Sequence, residues 1–225
     1  IGVTDAGLIT TITTFASNVN RFLTFRMSEV VIKRMGAVLS ADKKTQAAVT
    51  VKAAMLTEAA TSILAFIVLL LLTPWAAVNL GKDGQLVSLF AIYGIILLSN
   101  GITESSTGVL QVLRRFNWIA RVNMVQAILT FVLIGLAFLF LIDDSFSNTT
   151  KILVIVLVLT LGKTVNGLTL ATLALLELHK TLGAVWWKAP LASLPEKRGM
   201  FSFMINSNLN GTVTLFTRDN IPLYL

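Results

Sequence analysis

The chain has no cysteine, only one histidine, and few charged residues for its length of 225. The absence of cysteine excludes disulfides, thiolate metal sites and cysteine nucleophiles. The sequence also lacks a glycine-rich phosphate loop, an HExxH zinc motif and a recognisable Ser-His-Asp set, so no common enzyme signature is present. Charged residues make up 13% and hydrophobic residues 55% of the chain, which lies on the membrane side of the usual globular balance.

Four long apolar runs account for this composition. Ala59–Gly81, Gly84–Thr103 and Val122–Ile142 contain no charged residue, and each has the roughly 20 residues that cross about 30 Å of hydrocarbon. Ile152–Leu176 is as long and carries one charge, Lys163. A core helix of a soluble protein needs only one apolar face. The four runs therefore predict an integral membrane protein.

Weaker patterns extend the predicted bundle at both ends. Thr4–Phe25 is moderately apolar and is interpreted as a spanning helix that faces other protein. Arg26–Lys52 has the pattern of an amphipathic helix followed by a polar turn. We expect an all-α, polytopic transmembrane bundle of about six spanning helices, at Thr4–Phe25, Ala53–Val78, Gln85–Leu113, Val122–Ile142, Ile152–Leu178 and from Gly199 onward.

The two ends of the sequence suggest a longer protein. The chain begins at Ile1 rather than Met, and it ends at Leu225 inside another apolar stretch. No basic residue precedes the first weakly apolar run, so a signal peptide is not predicted. We expect this sequence to be a fragment.

Lysine and arginine are distributed unevenly among the loops. Three alternate loops, Arg26–Lys52, Arg114–Arg121 and Lys180–Arg198, hold thirteen of them, whereas the two loops between hold only Lys82 and Lys151. Because basic loops are retained on the cytoplasmic side, these three are predicted to be cytoplasmic. The net charge of +7 therefore follows from membrane insertion and does not indicate nucleic-acid binding.

Several charged residues fall inside the predicted spans, where a charge usually faces a bundle interior or a water-filled cavity. They are Arg21, Glu104, Lys163 and Arg218. Amides and hydroxyls around Arg218 predict that the last helix lines a hydrated path; these are Asn206, Ser207, Asn208, Asn210, Thr212, Thr214 and Thr217. Several inward cations and few acids would suit an anionic, phosphate-like substrate. In this interpretation Glu104 is the only deep acid of the second to fifth spans.

Each of these charges also has a simpler explanation. Arg21 is near the cytoplasmic end of its helix, so its side chain could reach the interface. Glu104 could satisfy hydrogen bonds between helices, and Lys163 could form a structural ion pair with Glu104. Four glycines, Gly101, Gly108, Gly162 and Gly167, are expected to permit close helix approach or local bending.

Two stretches resemble the polysaccharide biosynthesis proteins, the flippases of lipid-linked oligosaccharides in the superfamily of multidrug and toxic-compound extruders. Ser105–Arg121 (SSTGVLQVLRRFNWIAR) is similar to that family's turn between the third and fourth helices. Asn206–Leu225 (NSNLNGTVTLFTRDNIPLYL) is similar to the start of its second bundle. The basic loop with Trp186, Trp187, Pro190 and Pro195 would then link the bundles.

The resemblance implies a parent of about twelve or more helices in two bundles. Residues 1–180 would be the first bundle without its first helix, residues 181–198 a cytoplasmic linker, and residues 199–225 the truncated first helix of the second bundle. The implied function is to flip undecaprenyl-pyrophosphate-linked oligosaccharide across the inner membrane, without bond cleavage, cofactor or metal. Glycan-assembly enzymes are possible partners. The candidate substrate-binding residues are Arg218, Lys163, Arg21, Glu104, Asn206 and Asn210, and the first three would hold the pyrophosphate.

Three alternatives stay open from the sequence. A cation-coupled exporter of drugs or metabolites would share the fold but would more naturally place acids in its cavity. A membrane-embedded glycan polymerase or lipid-sugar transferase would need catalytic groups, commonly in a large outward loop, and both outward loops here are short. A membrane scaffold would leave the intramembrane charges unexplained.

Overall fold

The computed structural model describes residues 2–141 and 147–194, together with residues 199, 202, 203, 205, 206 and 208. All regular structure in these residues is helical, which confirms the all-α prediction. The α-helices are α1 (Val3–Leu23), α2 (Met27–Ser40), α3 (Lys44–Asn79), α4 (Val87–Ser99), α5 (Thr103–Val112), α6 (Phe116–Leu136) and α7 (Asn148–Leu182). Short 3-10 turns lie at Gly84–Leu86, Trp186–Lys188 and Leu191–Ser193, and a π-helical turn follows α6 at Ala137–Leu141.

Four helical segments are long and apolar enough to cross a membrane. They are Lys44–Asn79, Val87–Val112, Phe116–Leu139 and Asn148–Leu182, where the second segment combines α4 and α5. They correspond to the four apolar runs of the sequence, so the chain is a membrane protein by the length and composition of its helices. Helix α1 is not among these four, and most of the segment predicted from Gly199 onward lies outside the described residues.

Helix boundaries differ from the predicted ones because hydropathy marks the hydrocarbon layer rather than the end of a helix. Helix α3 begins at Lys44 instead of Ala53, so part of the first basic loop is helical. Helix α6 begins at Phe116, which leaves a turn at Arg114 and Arg115 where a loop of eight residues was expected. The first turns of these helices lie in the interface, where water and headgroups can solvate Lys44 of α3 and Arg115 at the start of α6.

The helices enclose two separate apolar cores. The α2-side core contains α2, the first part of α3, the end of α5 and the last third of α7; it is centred on Met27, Val31, Met35, Val51, Leu110, Ala174 and Leu178. The α1-side core contains α1, the second half of α3, α4 and the start of α7; it is centred on Ile12, Ala16, Leu69, Phe90, Leu97, Ile152 and Val156. Helices α3 and α7 run through both cores and hold them together.

Helix α6 lies at the edge of the bundle and has no buried residue. It packs along α7, where the Asn166 amide donates to Asn123 Oδ1 at 3.0 Å and Arg115 Nε meets Glu177 Oε2 at 3.0 Å. Its large side chains, including Phe131 at 79% exposed, face outward. Beyond Arg121 the helix carries no charge, and such an outward face suits contact with lipid.

The predicted orientation can be tested with cysteine because the chain has none. Gly84→Cys probes the short loop after α3, and Asn117→Cys probes the exposed first turn of α6. We expect a membrane-impermeant maleimide to label Gly84→Cys on intact cells, and Asn117→Cys only after lysis. The opposite labelling pattern would invert the bundle in the membrane.

Candidate functional site

A belt of polar side chains separates the two cores, at the level where α4 ends and α5 begins. We call this belt the polar layer and define it as Asn20, Thr24, Glu58, Ser62, Ser99, Asn100, Thr103, Glu104, Lys163 and Thr164. Its members come from α1, α3, the α4–α5 junction and α7. Such a concentration of polar groups inside a membrane bundle is costly unless the groups bond to each other or to a ligand.

The break between α4 and α5 at residues 100–102 is the centre of the polar layer. Ile102, at the N-cap position of α5, has no side-chain oxygen and makes no capping bond. Glu58 of α3 supplies this cap from a different helix: its Oε1 accepts from the Glu104 backbone N–H at 2.7 Å, and its Oε2 accepts from the Ser105 N–H at 2.8 Å. A carboxylate at a helix N-terminus also meets the positive end of the helix dipole. Glu58, which is only 2% exposed, therefore ties α3 to the broken helix.

Helix α7 closes the other side of the break. The Thr164 hydroxyl donates to Ser99 Oγ at 3.3 Å. Gly167 brings its backbone so close to the break that an added Cβ would lie 2.9 Å from Thr103 Oγ1 and 3.0 Å from the Ser99 carbonyl oxygen. This contact confirms the expected close approach at Gly167.

Two adjoining cavities open beside the break. The smaller, about 120 Å³, is lined by Asn20, Thr24, Phe25, Glu58, Ser62, Asn100, Thr103 and Glu104. The larger, about 200 Å³, is lined by Asn20, Arg21, Thr24, Phe25, Arg26, Glu104 and Asn208. The Thr103 hydroxyl oxygen is buried without a hydrogen-bond partner in the described part of the chain. These cavities can hold water or a polar group that hydrogen-bonds to their walls.

Glu104 lines both cavities, and its side chain is exposed, unlike that of Glu58. One of its oxygens accepts from the Ser28 hydroxyl at 2.5 Å, which joins α5 to the first turn of α2. Among the described residues Glu104 makes no ion pair with Lys163, so the predicted structural pair is absent there. Glu104 does satisfy a hydrogen bond between helices, as its simpler explanation expected.

Lys163 occupies an unusual position on α7. Residues seven positions before and after it, Val156 and Leu170, lie on the same face of the helix, and they are 0% and 3% exposed. Lys163 itself is exposed. The buried face of α7 is therefore interrupted by an exposed lysine. Lys163 lies roughly 17 Å along the helix from Ile152, near the middle of the membrane.

The other predicted site residues separate into three groups. Arg21 lines the larger cavity together with Glu104, as does Asn208 of the last segment. Asn206 is helical and exposed and is not among the residues that line these cavities. Arg218 and Asn210 lie outside the described residues.

The prediction that Glu104 is the only deep acid of the second to fifth spans is wrong, because Glu58 is buried in α3. Glu58 lies inside the predicted span Ala53–Val78, immediately before the uncharged run Ala59–Gly81, but it is not among the intramembrane charges predicted from the sequence. Its capping role depends on the helix break that makes Ile102 an N-cap, and the sequence predicts a continuous helix there, so no local signal pointed to Glu58.

No three Asp, Glu or His side chains gather closely enough to hold a metal ion within the described part of the chain. Comparison with protein-family models, curated proteins and solved structures finds no match to this chain. The function is therefore inferred from the polar layer and from the resemblance of the sequence.

Proposed function

We propose that this chain is part of a membrane transporter that moves an undecaprenyl-pyrophosphate-linked oligosaccharide from the inner to the outer leaflet of the inner membrane. In this proposal the chain contributes most of a first bundle and the start of a second, with about six of twelve or more spanning helices. The two bundles rock about a central cavity at the polar layer, which gives access alternately to each side. No bond is broken in this cycle.

The position of Lys163 in the membrane is the observation that carries the proposal. An ammonium group at the centre of a membrane costs roughly 2.5–3.5 kcal/mol even in the most permissive measurements. Lys163 makes no hydrogen bond or ion pair with the described residues, although it lies on the otherwise buried face of α7. A pyrophosphate passing the polar layer would supply the missing anionic partner.

The cavities support the same proposal. Arg21 provides a second cation at the polar layer, and the hydroxyl of Thr103 and the amides of Asn20 and Asn100 provide hydrogen-bonding groups for sugars. Asn208 reaches the larger cavity, as expected if the last helix turns its polar face toward the first bundle. The lipid tail could stay in the bilayer while only the polar head crosses.

Replacing Lys163 tests this role. In the complete transporter in proteoliposomes, we expect Lys163→Ala to slow flipping of a pyrophosphate-linked lipid oligosaccharide by roughly tenfold to a hundredfold. This is the loss of one charged hydrogen bond of about 1.5–3 kcal/mol. Lys163→Arg should retain most activity because it keeps the charge. Lys82→Asn, in the loop outside the membrane, is the control. Full activity of Lys163→Ala would refute the proposed role.

A cation-coupled exporter is the second candidate, because Glu104 is an exposed carboxylate that lines both cavities. Both oxygens of Glu58 accept backbone bonds from α5, so they are occupied in holding the helix break. Glu104 is then the carboxylate left to bind a coupling cation or a cationic drug. In the same proteoliposomes an exporter would lose ion-driven transport in Glu104→Gln and would not flip the lipid-linked sugar at all.

A further inference from the structure

The turn-rich segment after α7 is fixed to the bundle at a definite height. Lys52 of α3 donates its ammonium to the Ala189 carbonyl oxygen at 3.0 Å. The 3-10 turns at Trp186–Lys188 and Leu191–Ser193 also pack on α3. Trp186 packs against the α2-side core. The segment is therefore held against α3 and does not extend freely into water.

The distance along α3 gives the height of this segment in the membrane. Trp75, near its far end, is 56% exposed and suits the outer headgroup zone. Lys52 is 23 residues earlier in the helix, so it lies about 35 Å from Trp75 at 1.5 Å per residue. A bilayer has about 30 Å of hydrocarbon and about 40–45 Å including headgroups. This distance places Ala189 in the opposite headgroup layer.

At this height the segment turns an apolar face outward. Val185 is 62% exposed, Trp187 is 57% exposed and Leu191 is 41% exposed, whereas the neighbouring Trp186 is partly buried. The Lys188 ammonium lies 5.3 Å from the centre of the Trp187 ring. An exposed aromatic ring beside a cation is the pair expected at a lipid headgroup, because the ring enters the interface while the ammonium meets phosphate.

The charge next to this face is positive. Lys188 is exposed, whereas Lys180 pairs with Glu177 at 3.3 Å, and the sequence has no acidic residue between Glu177 and Glu196. We propose that Val185–Leu191 is a membrane-surface anchor that inserts Trp187 among the anionic phospholipid headgroups of the cytoplasmic leaflet. The anchor would hold the connection after α7 flat on the bilayer. The inference rests on the membrane class of the chain and not on its transport activity.

Labels at the two adjacent tryptophans test the anchor. Trp187→Cys and, as matched control, Trp186→Cys each carry one polarity-sensitive fluorophore, since the chain has no other cysteine. The complete protein is reconstituted in phosphatidylcholine vesicles with and without phosphatidylglycerol. We expect the label at position 187 to be quenched by lipid brominated near the headgroup and to be protected from aqueous iodide.

Three results would overturn the anchor: quenching at position 187 by iodide alone, quenching by neither agent, or equal lipid quenching with and without phosphatidylglycerol. The first places the segment in water, the second under protein, and the third removes the preference for anionic lipid. If the attached fluorophore disturbs the segment, the intrinsic fluorescence of Trp187 can be measured instead. For this measurement Trp75, Trp118 and Trp186 are replaced by Phe, and the same quenchers report the position of Trp187.

A separate variant tests the contribution of lysine charge to the anchor. Lysine near an anionic leaflet contributes about 1 kcal/mol, which corresponds to about fivefold in the inserted population. Lys188→Gln should therefore lower insertion of Trp187 about fivefold in anionic vesicles and leave it unchanged in phosphatidylcholine. An unchanged signal in the anionic vesicles would contradict the role of this lysine.

Discussion

Glu58→Ala is expected to destabilise the protein by about 3 kcal/mol or more, the largest effect among single substitutions in the polar layer. The change leaves the backbone N–H groups of Glu104 and Ser105 without their acceptor. Each buried donor left unpaired costs about 1–3 kcal/mol. Water entering the neighbouring cavity of about 120 Å³ can compensate for part of this loss.

Unfolding in detergent micelles by heat or by added dodecyl sulfate, followed by circular dichroism, measures this effect. Glu58→Gln should fall between the wild type and Glu58→Ala, because its amide offers only one acceptor oxygen. Glu104→Gln is the matched control, since its exposed carboxylate accepts only the Ser28 hydroxyl among the bonds described, and we expect a loss below about 1 kcal/mol.

Hydrogen exchange separates a local cap from a general loss of stability. If Glu58 caps α5, the amides of Glu104 and Ser105 should exchange faster in Glu58→Ala before the α1-side core does. Equal stability of Glu58→Ala and Glu104→Gln, with unchanged exchange at α5, would show that Glu58 does not hold the break.

Gly108→Ala is expected to destabilise the packing of α5 on α2 by about 1–3 kcal/mol. A Cβ on Gly108 would lie 2.9 Å from the Ser28 carbonyl oxygen and 3.0 Å from the Ser28 Cα. Both atoms belong to the backbone of α2, so they cannot rotate away, and the two helices must separate. Overpacking of this kind usually costs such an amount.

Gly36→Ala provides the matched control in the same pair of helices. Its nearest neighbour would be a Val112 methyl group at 4.0 Å, which is ordinary contact. Because alanine favours helix by about 1 kcal/mol over glycine, this variant should be as stable as the wild type or slightly more stable. Parallel unfolding in micelles compares the two; a Gly108→Ala protein as stable as Gly36→Ala would rule out close packing at Gly108.

Hydropathy was sufficient to find the four apolar helices, because a spanning segment must be apolar over its whole length whatever it packs against. The ends of α3 and α6 were predicted less well. Lys44 and Phe116 begin helices in polar surroundings, where the sequence pattern of a loop and that of a helix extending into the interface are similar. The break at residues 100–102 was also missed, since Asn and Gly occur within membrane helices that stay continuous.

The candidate site was predicted only in part. Arg21 and Glu104 do line one cavity, and Lys163 interrupts the buried face of α7. Glu58, by contrast, has a role that depends on which backbone groups lie opposite it. That relation is set by the register between α3 and α5, which are 46 residues apart at this contact, and no local pattern encodes it.

The sequence alone determined that this is a membrane protein, and it predicts which loops face the cytoplasm. Both properties follow from the local free energy of transferring each residue into lipid or across it. The tertiary structure decided that two apolar cores are separated by the polar layer, that Glu58 caps α5, and that Trp187 is exposed while Trp186 is packed. These features depend on distances between segments far apart in the chain, which only helix packing establishes.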